Sequence, residues 1–357
     1  MARAARELVA RELVARCHAG LDAVTLKSEF VERLGALIPV DAVFCASVDP
    51  ATLLFTGAVL HEIPVETTSR FLVNEFLEDD VNKFSALARR PVAVDWLDRA
   101  TADRRSDSRR YREIMAPLGL GDELRAAFRS GGECWGFLCL HRDQSSVGFN
   151  EADARLIARL SAHVGEGLRR ALLVGVADAS TDSDAPGVLL IGRDGSVEAT
   201  TAAGDRWLWE LSGPGRQLGV LPVSVQAVLA RLDAVGRGVG DLNAQPRVRV
   251  RTRSRRWAVL HASAIAGLDD GRHVAVVVES AKPAELAPMI LLAYGLTTRE
   301  AEVAQLALQG RPTKAVAREL RISENTVEDH LKAIFTKVGV GSRGELTARV
   351  FTEHYAQ

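Results

Sequence analysis

Apolar positions near the C-terminal end recur at helical spacing: Val303, Leu306 and Ala307; then Val316 and Leu320; then Val327, Leu331, Ile334 and Val338. The pattern predicts three short helices, each burying one face on the others, and a fourth over Ser342 to Phe351. Start and stop signals agree with it. Thr297 with Glu300, and Ser342 with Glu345, have capping-box spacing. Gly310 is placed to stop the first helix, and Thr313 after Pro312 to cap the second. Ser323 caps the third, with Glu324 in the first turn, where the helix dipole favours negative charge.

The third helix carries Asn325, Glu328, Asp329, Lys332 and Thr336 on its other face, all able to hydrogen-bond. A short helix precedes it, joined at Arg321-Ile322, which predicts a helix-turn-helix. Such a unit lays its second helix in the major groove, where each base pair shows a distinct donor and acceptor pattern. The bland alternative is a helical bundle that docks on protein.

The stretch Leu296 to Phe351 resembles the LuxR-type helix-turn-helix domain of bacterial transcription regulators. The matching residues are Leu296-Thr297, Arg299-Glu300, Glu302-Val303, Gly310, Lys314, Ala317, Leu320, Ile322-Ser323, Thr326-Val327, His330, Lys337, Gly339-Val340 and Ser342-Arg343. The resemblance implies a recognition helix over Ser323 to Lys337, with groove contacts at Glu328, Asp329 and Lys332. The expected DNA-contacting set is Thr313, Lys314, Ser323, Asn325, Thr326, Glu328, Asp329, Lys332, Lys337 and Arg343. It also implies pairing through the fourth helix, at Leu346, Val350 and Phe351. One departure matters: Glu328 stands where the family often has Lys or Gln, and Asp329 is acidic too. Two carboxylates near phosphate weaken binding, but they can accept from cytosine amino groups and so add selectivity.

Upstream, the period changes. Residues up to about Pro39 read as helix, with RELVA repeated from Arg6 and Arg11. Val40 to Val48 and Leu53 to Leu60 read as strands around Asp49-Pro50. Helices are expected at Val65 to Phe76 and Asp80 to Ala88, and a loop leading into a helix over Asp95 to Arg112. Glu123 to Arg129 and Glu133 to His141 read as a hairpin, and Asn150 caps a long helix to about Leu173. This order implies an antiparallel sheet flanked by helices. From Val40 to Leu173 the chain resembles a GAF domain, a small-molecule sensor module. The resemblance implies a pocket between sheet and helices, lined by candidates Phe44, Phe71, Phe76, Trp96, Trp135 and Phe137; plain core packing is the alternative for each. His141 and His163 are candidate haem ligands in such a fold, against the commoner satisfied or solvated histidine.

GVADASTDSDAP, Gly175 to Pro186, is small, acidic and unpatterned, hence a linker. After it, strands are expected at Val188 to Ile191 and Val197 to Thr200, and helices at Ala202 to Leu211 and Pro222 to Val235. Strands follow at Arg247 to Thr252, Trp257 to Ala264 and His273 to Glu279, with Gly271 in the last turn. That element order resembles a PAS-like domain. Arg247, Arg249, Arg251, Arg253 and Arg255 alternate with smaller residues, which puts the arginines on one strand face. They read as a solvated face paired with acids, or as an anion contact.

The expected fold class is therefore α+β: a GAF-like domain (1–174), a linker (175–186), a PAS-like domain (187–281), a connecting helix (282–295) and an all-α four-helix domain (296–357). A chain of 357 residues suits two or three domains.

Net charge is −1, so no global basic field draws nucleic acid. Charges from Leu296 onward nearly balance too, so one domain neutralises few phosphates, and a homodimer is expected. Cys17, Cys45, Cys134 and Cys139 form no CxxC pair, so no metal is expected; they read as reduced core thiols of a cytoplasmic protein, or as a switch at Cys134 and Cys139. There is no Gly-rich phosphate loop, HExxH or GxSxG, so no catalytic residue or cofactor is expected. No apolar run reaches membrane length. The expected partners are double-stranded DNA, a small-molecule effector, a second copy and RNA polymerase. The competing reading is an enzyme or ligand carrier with a C-terminal docking module.

Overall fold

The computed structural model describes residues 2–174, 185–212, 219–240, 244–266 and 273–351. Most of the expected linker and the turn at Gly271 lie outside the described residues.

Two helices open the chain, α1 (Ala2–Cys17) and α2 (Ala23–Leu34). Asp22 caps α2, accepting from the N–H groups of Val24 and Thr25, both at 3.0 Å. The first sheet is built from β1 (Ala42–Val48), β2 (Phe55–His61), β3 (Val94–Trp96), β4 (Leu120–Ser130) and β5 (Glu133–Asp143). Their order is β2-β1-β5-β4-β3, with every pair antiparallel. Between β2 and β4 run α3 (Thr68–Leu77), α4 (Phe84–Leu87) and α5 (Leu97–Thr101), and α6 (Glu151–Ala171) follows β5. Asn150 and Asp153 form the capping box of α6. β3 falls where a loop was expected. A strand of three residues on the sheet edge is too short to show a period.

One sheet face packs Val43, Cys45, Leu138 and Leu140 under α2 and α6. The other packs Phe44, Ala46, Phe137 and Cys139 against α3 and α4. A β-bulge breaks the alternation: Phe128 pairs with Gly136, but Arg129 pairs with Cys134, which leaves Trp135 as the extra residue. Trp135 therefore points under α6, opposite to Phe137 two residues on.

The middle domain repeats this plan. β6 (Gly187–Ile191), β7 (Val197–Thr200), β8 (Arg247–Arg251), β9 (Trp257–Ile265) and β10 (His273–Ser280) lie in the order β7-β6-β10-β9-β8, with α7 (Ala202–Leu211) and α8 (Val223–Gly236) between β7 and β8. α8 packs against α3 and β2 of the first domain, and one apolar core runs across both.

α9 (Pro283–Ala293) leads into the last domain, which contains α10 (Thr298–Leu308), α11 (Thr313–Leu320), α12 (Glu324–Val338) and α13 (Arg343–Phe351). The Thr297–Glu300 capping box and the Ser323 cap form as their spacing predicts. α11 departs from expectation. Its N-cap is Pro312, no side chain caps it, and Thr313 is already inside the helix. Trp257 and Val259 of β9 share a core with Leu286, Met289 and Ile290 of α9 and with α10 to α13. The last domain is thus bolted to the middle one through α9. Among the described residues no helix is long and apolar enough to cross a membrane.

Candidate nucleic-acid interface and sensor cavity

α11 and α12 meet at Arg321, which adopts a left-handed conformation (φ 55°) so that the chain can turn at once into the next helix. Val327, Leu331, Ile334 and Val338 are buried on the inner face of α12. Asn325, Glu328, Asp329, Lys332 and Thr336 are exposed on the other. α12 packs on α10, α11 and α13, so this outer face is open. Lys332 Nζ lies 3.2 Å from Asp329 Oδ1, with 75% and 76% of the two side chains exposed. Such a pair holds little energy and yields readily to a base or a phosphate.

The ten expected contact residues divide. Lys314, Ser323, Asn325, Glu328, Asp329 and Lys332 are exposed. Ser323 Oγ accepts from the Thr326 N–H at 3.1 Å, so both residues also fix the helix start. Three others tie the domain together. Lys337 Nζ donates to Glu300 at 2.6 Å. Arg343 donates to the Arg311 carbonyl at 2.7 Å and to Thr313 Oγ1 at 2.9 Å, which engages Thr313 as well.

The expected pairing residues are mostly inside. Leu346 is 1% exposed and Val350 0%, and both sit in the core that α13 shares with α9 and α10; Phe351 is half-buried. α9 thus gives α13 an apolar partner within its own chain.

In the first domain a cavity of about 40 Å³ lies against the sheet face that α3 covers. Of the expected lining residues, Phe44 and Phe71 reach it. Trp96 and Trp135 pack on the opposite sheet face. Phe137 stacks on Phe84 with centroids 4.3 Å apart, and Phe76 packs by Phe55 and under the Arg231 guanidinium. These four are packing residues, the first two because strand alternation and the bulge turn them away.

The cavity's polar end was not anticipated as a unit. Arg110, Glu123, Cys139 and His141 converge there, with Glu123 opposite His141 on paired strands. Ligand-type atoms of Glu123, Cys139 and His141 lie within 4.8 Å of one another. Glu123 Oε2 accepts from Arg110 at 2.6 Å and Oε1 from Arg125 at 3.0 Å. Burial alone would raise the Glu123 carboxyl, but Arg110 and Arg125 hold it well below the usual carboxylate range. Arg125 also reaches Glu75 at 2.9 Å and lies 4.5 Å over the Phe84 ring. Burial pushes His141 down to about 4 and the Cys139 thiol well above its usual value. His141 Nδ1 is buried without a hydrogen-bond partner among the described residues. His163 is elsewhere, on α6, with Nδ1 3.1 Å from His18 Nε2. The two histidines therefore share no site.

Of the arginine run, Arg253 and Arg255 are exposed beyond the strand's end at Arg251, while Arg247 and Arg249 are half-buried and paired with acids, as one of the two expected readings has it. Arg249 pairs with Asp49 of the first domain at 2.5 Å, and Arg247 pairs with Glu285 of α9 at 2.5 Å. Arg251 donates to the carbonyls of Leu172 and Val174 at 2.8 and 2.9 Å.

Residues 295–350 match the model of bacterial regulatory proteins of the luxR family, and residues 20–168 match the GAF domain model. The spore germination protein GerE of Bacillus subtilis is 46% identical over 50 residues, 14% of this chain and 68% of that protein. The nitrate/nitrite response regulator protein NarL of Escherichia coli is 41% identical over 58 residues, 16% of this chain and 27% of its own length. The monoamine regulon transcriptional regulator of Klebsiella aerogenes is 41% identical over 56 residues, 16% of this chain. The chain spans 25% of the length of that regulator, so the likeness there is one domain's. Among solved structures, E. coli SdiA aligns over 95% of this chain and 94% of its own, at 12% identity and a TM-score of 0.33.

Proposed function

The chain belongs to the luxR family of bacterial regulatory proteins, and from that premise we propose that it is a transcription regulator whose front half senses a signal and whose last domain reads DNA. The observation that carries the reading is the open polar face of α12 on a helix-turn-helix that is bolted through α9 to the middle domain, in a chain whose front matches a GAF domain. The protein is a regulator rather than an enzyme. We assign 1–174 as the sensor, 187–281 as a PAS-like relay, 282–295 as the connecting helix and 296–357 as the reader. The repeated strand order of the middle sheet supports the PAS-like assignment.

α9 supplies the coupling. Its Glu285 meets Arg247 of the middle domain, and carbonyls at its C-terminal end accept from Arg169 of α6. A signal acts only by binding two arrangements of this joint with different affinity. We assign base readout to Asn325, Glu328, Asp329 and Lys332 and a phosphate contact to Lys314, a reading their exposure supports. The balanced charge of the last domain supports a homodimer, with RNA polymerase as a further partner and the cytoplasm as the site of action.

The test is selection of bound duplexes from random fragments by the full chain, followed by a salt titration. Steep loss of affinity with salt is expected. No duplex selected would end the reading and leave α12 as a protein-docking helix.

A further inference from the structure

We propose, on the reading of the first domain as the sensor, that its cavity takes a small uncharged hydroxyl compound, an alcohol or a phenol. Its hydroxyl meets His141 beside Glu123, and its carbon body lies among Phe44, Phe71, Ile114 and Leu118.

Three observations point there. First, the cavity is mostly apolar, with Thr67 and Thr68 in its wall, and its ionisable side chains Arg110, Glu123, Cys139 and His141 gather at one end. Second, His141 Nδ1 is buried and has no hydrogen-bond partner among the described residues, so a ligand that offers it a hydrogen bond removes a standing cost. Third, the charges at that end are already matched. Both oxygens of Glu123 accept from guanidiniums, at 2.6 Å from Arg110 and 3.0 Å from Arg125.

These points select the head group. A carboxylate ligand would sit beside Glu123, and an ammonium beside Arg110; either leaves a buried charge without a matching partner. A neutral imidazole has one donor nitrogen and one acceptor, and a hydroxyl both donates and accepts, so it serves His141 in either tautomer. His141 stays neutral because burial pushes it down to about 4. A metal ion on Glu123, Cys139 and His141 would compete with two guanidiniums for one carboxylate. It would also need the thiolate of Cys139, whose thiol burial holds well above its usual value.

Size sets the consequence. A cavity of about 40 Å³ has room for about three waters at ~10–15 Å³ each, hence for a short alcohol. A ring needs more room, and Phe71 on α3 is one wall. On the same helix Ser69 donates to Gln226 of α8 at 2.9 Å, across the joint to the middle domain. A ligand that presses on Phe71 therefore presses on that joint.

The experiment titrates the full chain, with its histidines 15N-labelled, with 1-butanol, phenol, butyrate and benzoate, each to about 10 mM, a range that covers millimolar Kd. A saturable shift of the His141 ring nitrogens with 1-butanol or phenol is expected, and none with the two carboxylates. His141→Leu should weaken the hydroxyl probes about tenfold or more, which is one decade in Kd. Leu118→Phe, which narrows the apolar end and leaves His141 in place, should do the same. Equal binding of carboxylates, no saturable shift with either hydroxyl probe, or full binding by both variants would overturn the proposal. So would a thiolate-to-metal absorption band on adding cobalt(II). Duplex binding is followed in the same samples. Intact DNA binding without probe binding sinks this inference alone, whereas probe binding with no DNA bound sinks the regulator reading and leaves the cavity's ligand class standing.

Discussion

Asp49 and Arg249 lie 200 residues apart in the chain and meet in a two-pronged ion pair, Nη2 to Oδ1 at 2.5 Å and Nε to Oδ2 at 2.8 Å. The Arg249 backbone N–H adds a third bond to Oδ2 at 3.1 Å, and Nη1 reaches the Glu285 carbonyl at 3.0 Å. One arginine thus joins the β1–β2 turn of the first domain, an edge strand of the second and the helix that enters the third. Asp49 is 1% exposed and pairs there with Arg249.

Arg249→Ala strands that carboxylate. Breaking a buried pair from one side typically costs about 3–5 kcal/mol. Calorimetry should show the front half unfolding apart from the last domain, at lower temperature. The double variant Asp49→Leu with Arg249→Leu should recover part of the loss, because it leaves no buried charge. A single variant as stable as the parent would show that the joint is not held here.

Lys332→Ala should weaken binding to a selected duplex by about 1–3 kcal/mol if the side chain reads a guanine. Its partner Asp329 is exposed, so stability and circular dichroism should not change. Lys337→Ala should behave in the opposite way, since its ammonium is spent on Glu300 at the start of α10. That variant should melt earlier and keep its base preference. Unaltered DNA binding by Lys332→Ala would take α12 out of the groove.

How far the sequence reaches is clear from these residues. The helix-turn-helix was legible because caps, period and polar face all act within a few residues. The cavity's polar end was not, because of one inserted residue. The turn at Ser130 and Glu133 sets a register that, carried on unbroken, would put Leu140 opposite Glu123. The bulge at Trp135 shifts the pairing by one and brings His141 there instead. The alternation showed the shared face of Arg247, Arg249 and Arg251 but not what covers it. Asp49, Glu285 and the end of α6 lie too far along the chain for any local pattern to connect.

Acid should expose His141. Its folded pKa is about 4, against an ordinary 6.5, so the unfolded chain binds the proton first. Stability from this group is complete above about 6.5 and is lost as pH falls toward 4. At about 1.4 kcal/mol per pKa unit the loss is about 3 kcal/mol. Asp122 works the other way: burial raises it to about 6 from 3.8, so its contribution is full below 3.8 and fades as pH rises through 6. The two oppose each other between about pH 4 and 6. Denaturant titrations over that window should show His141→Gln gaining less stability than the parent as pH rises, because the His141 contribution is gone. A profile parallel to the parent's would mean His141 titrates normally.

The last prediction concerns assembly. Exposed bases of the last domain, such as Lys314, Arg318 and Lys332, are offset by exposed acids such as Glu319, Glu328 and Asp329, so one copy grips few phosphates. Two copies on one duplex nearly multiply their affinities. Leu346 and Val350 are not free to join them, being filled into the core beside α9. Val350→Glu should therefore cost about 3 kcal/mol or more of stability and weaken full and half sites equally, as a buried charge does. Leu8 on α1 is different: it is 59% exposed, a large apolar side chain on an outer helix, and a fitting contact for a two-fold pair. Leu8→Lys should leave melting unchanged, lower the mass seen by light scattering toward one chain, and weaken a full site much more than a half site. A parent that is already one chain in solution and binds both sites equally would remove the dimer. A dimer that survives Leu8→Lys would move the contact off α1.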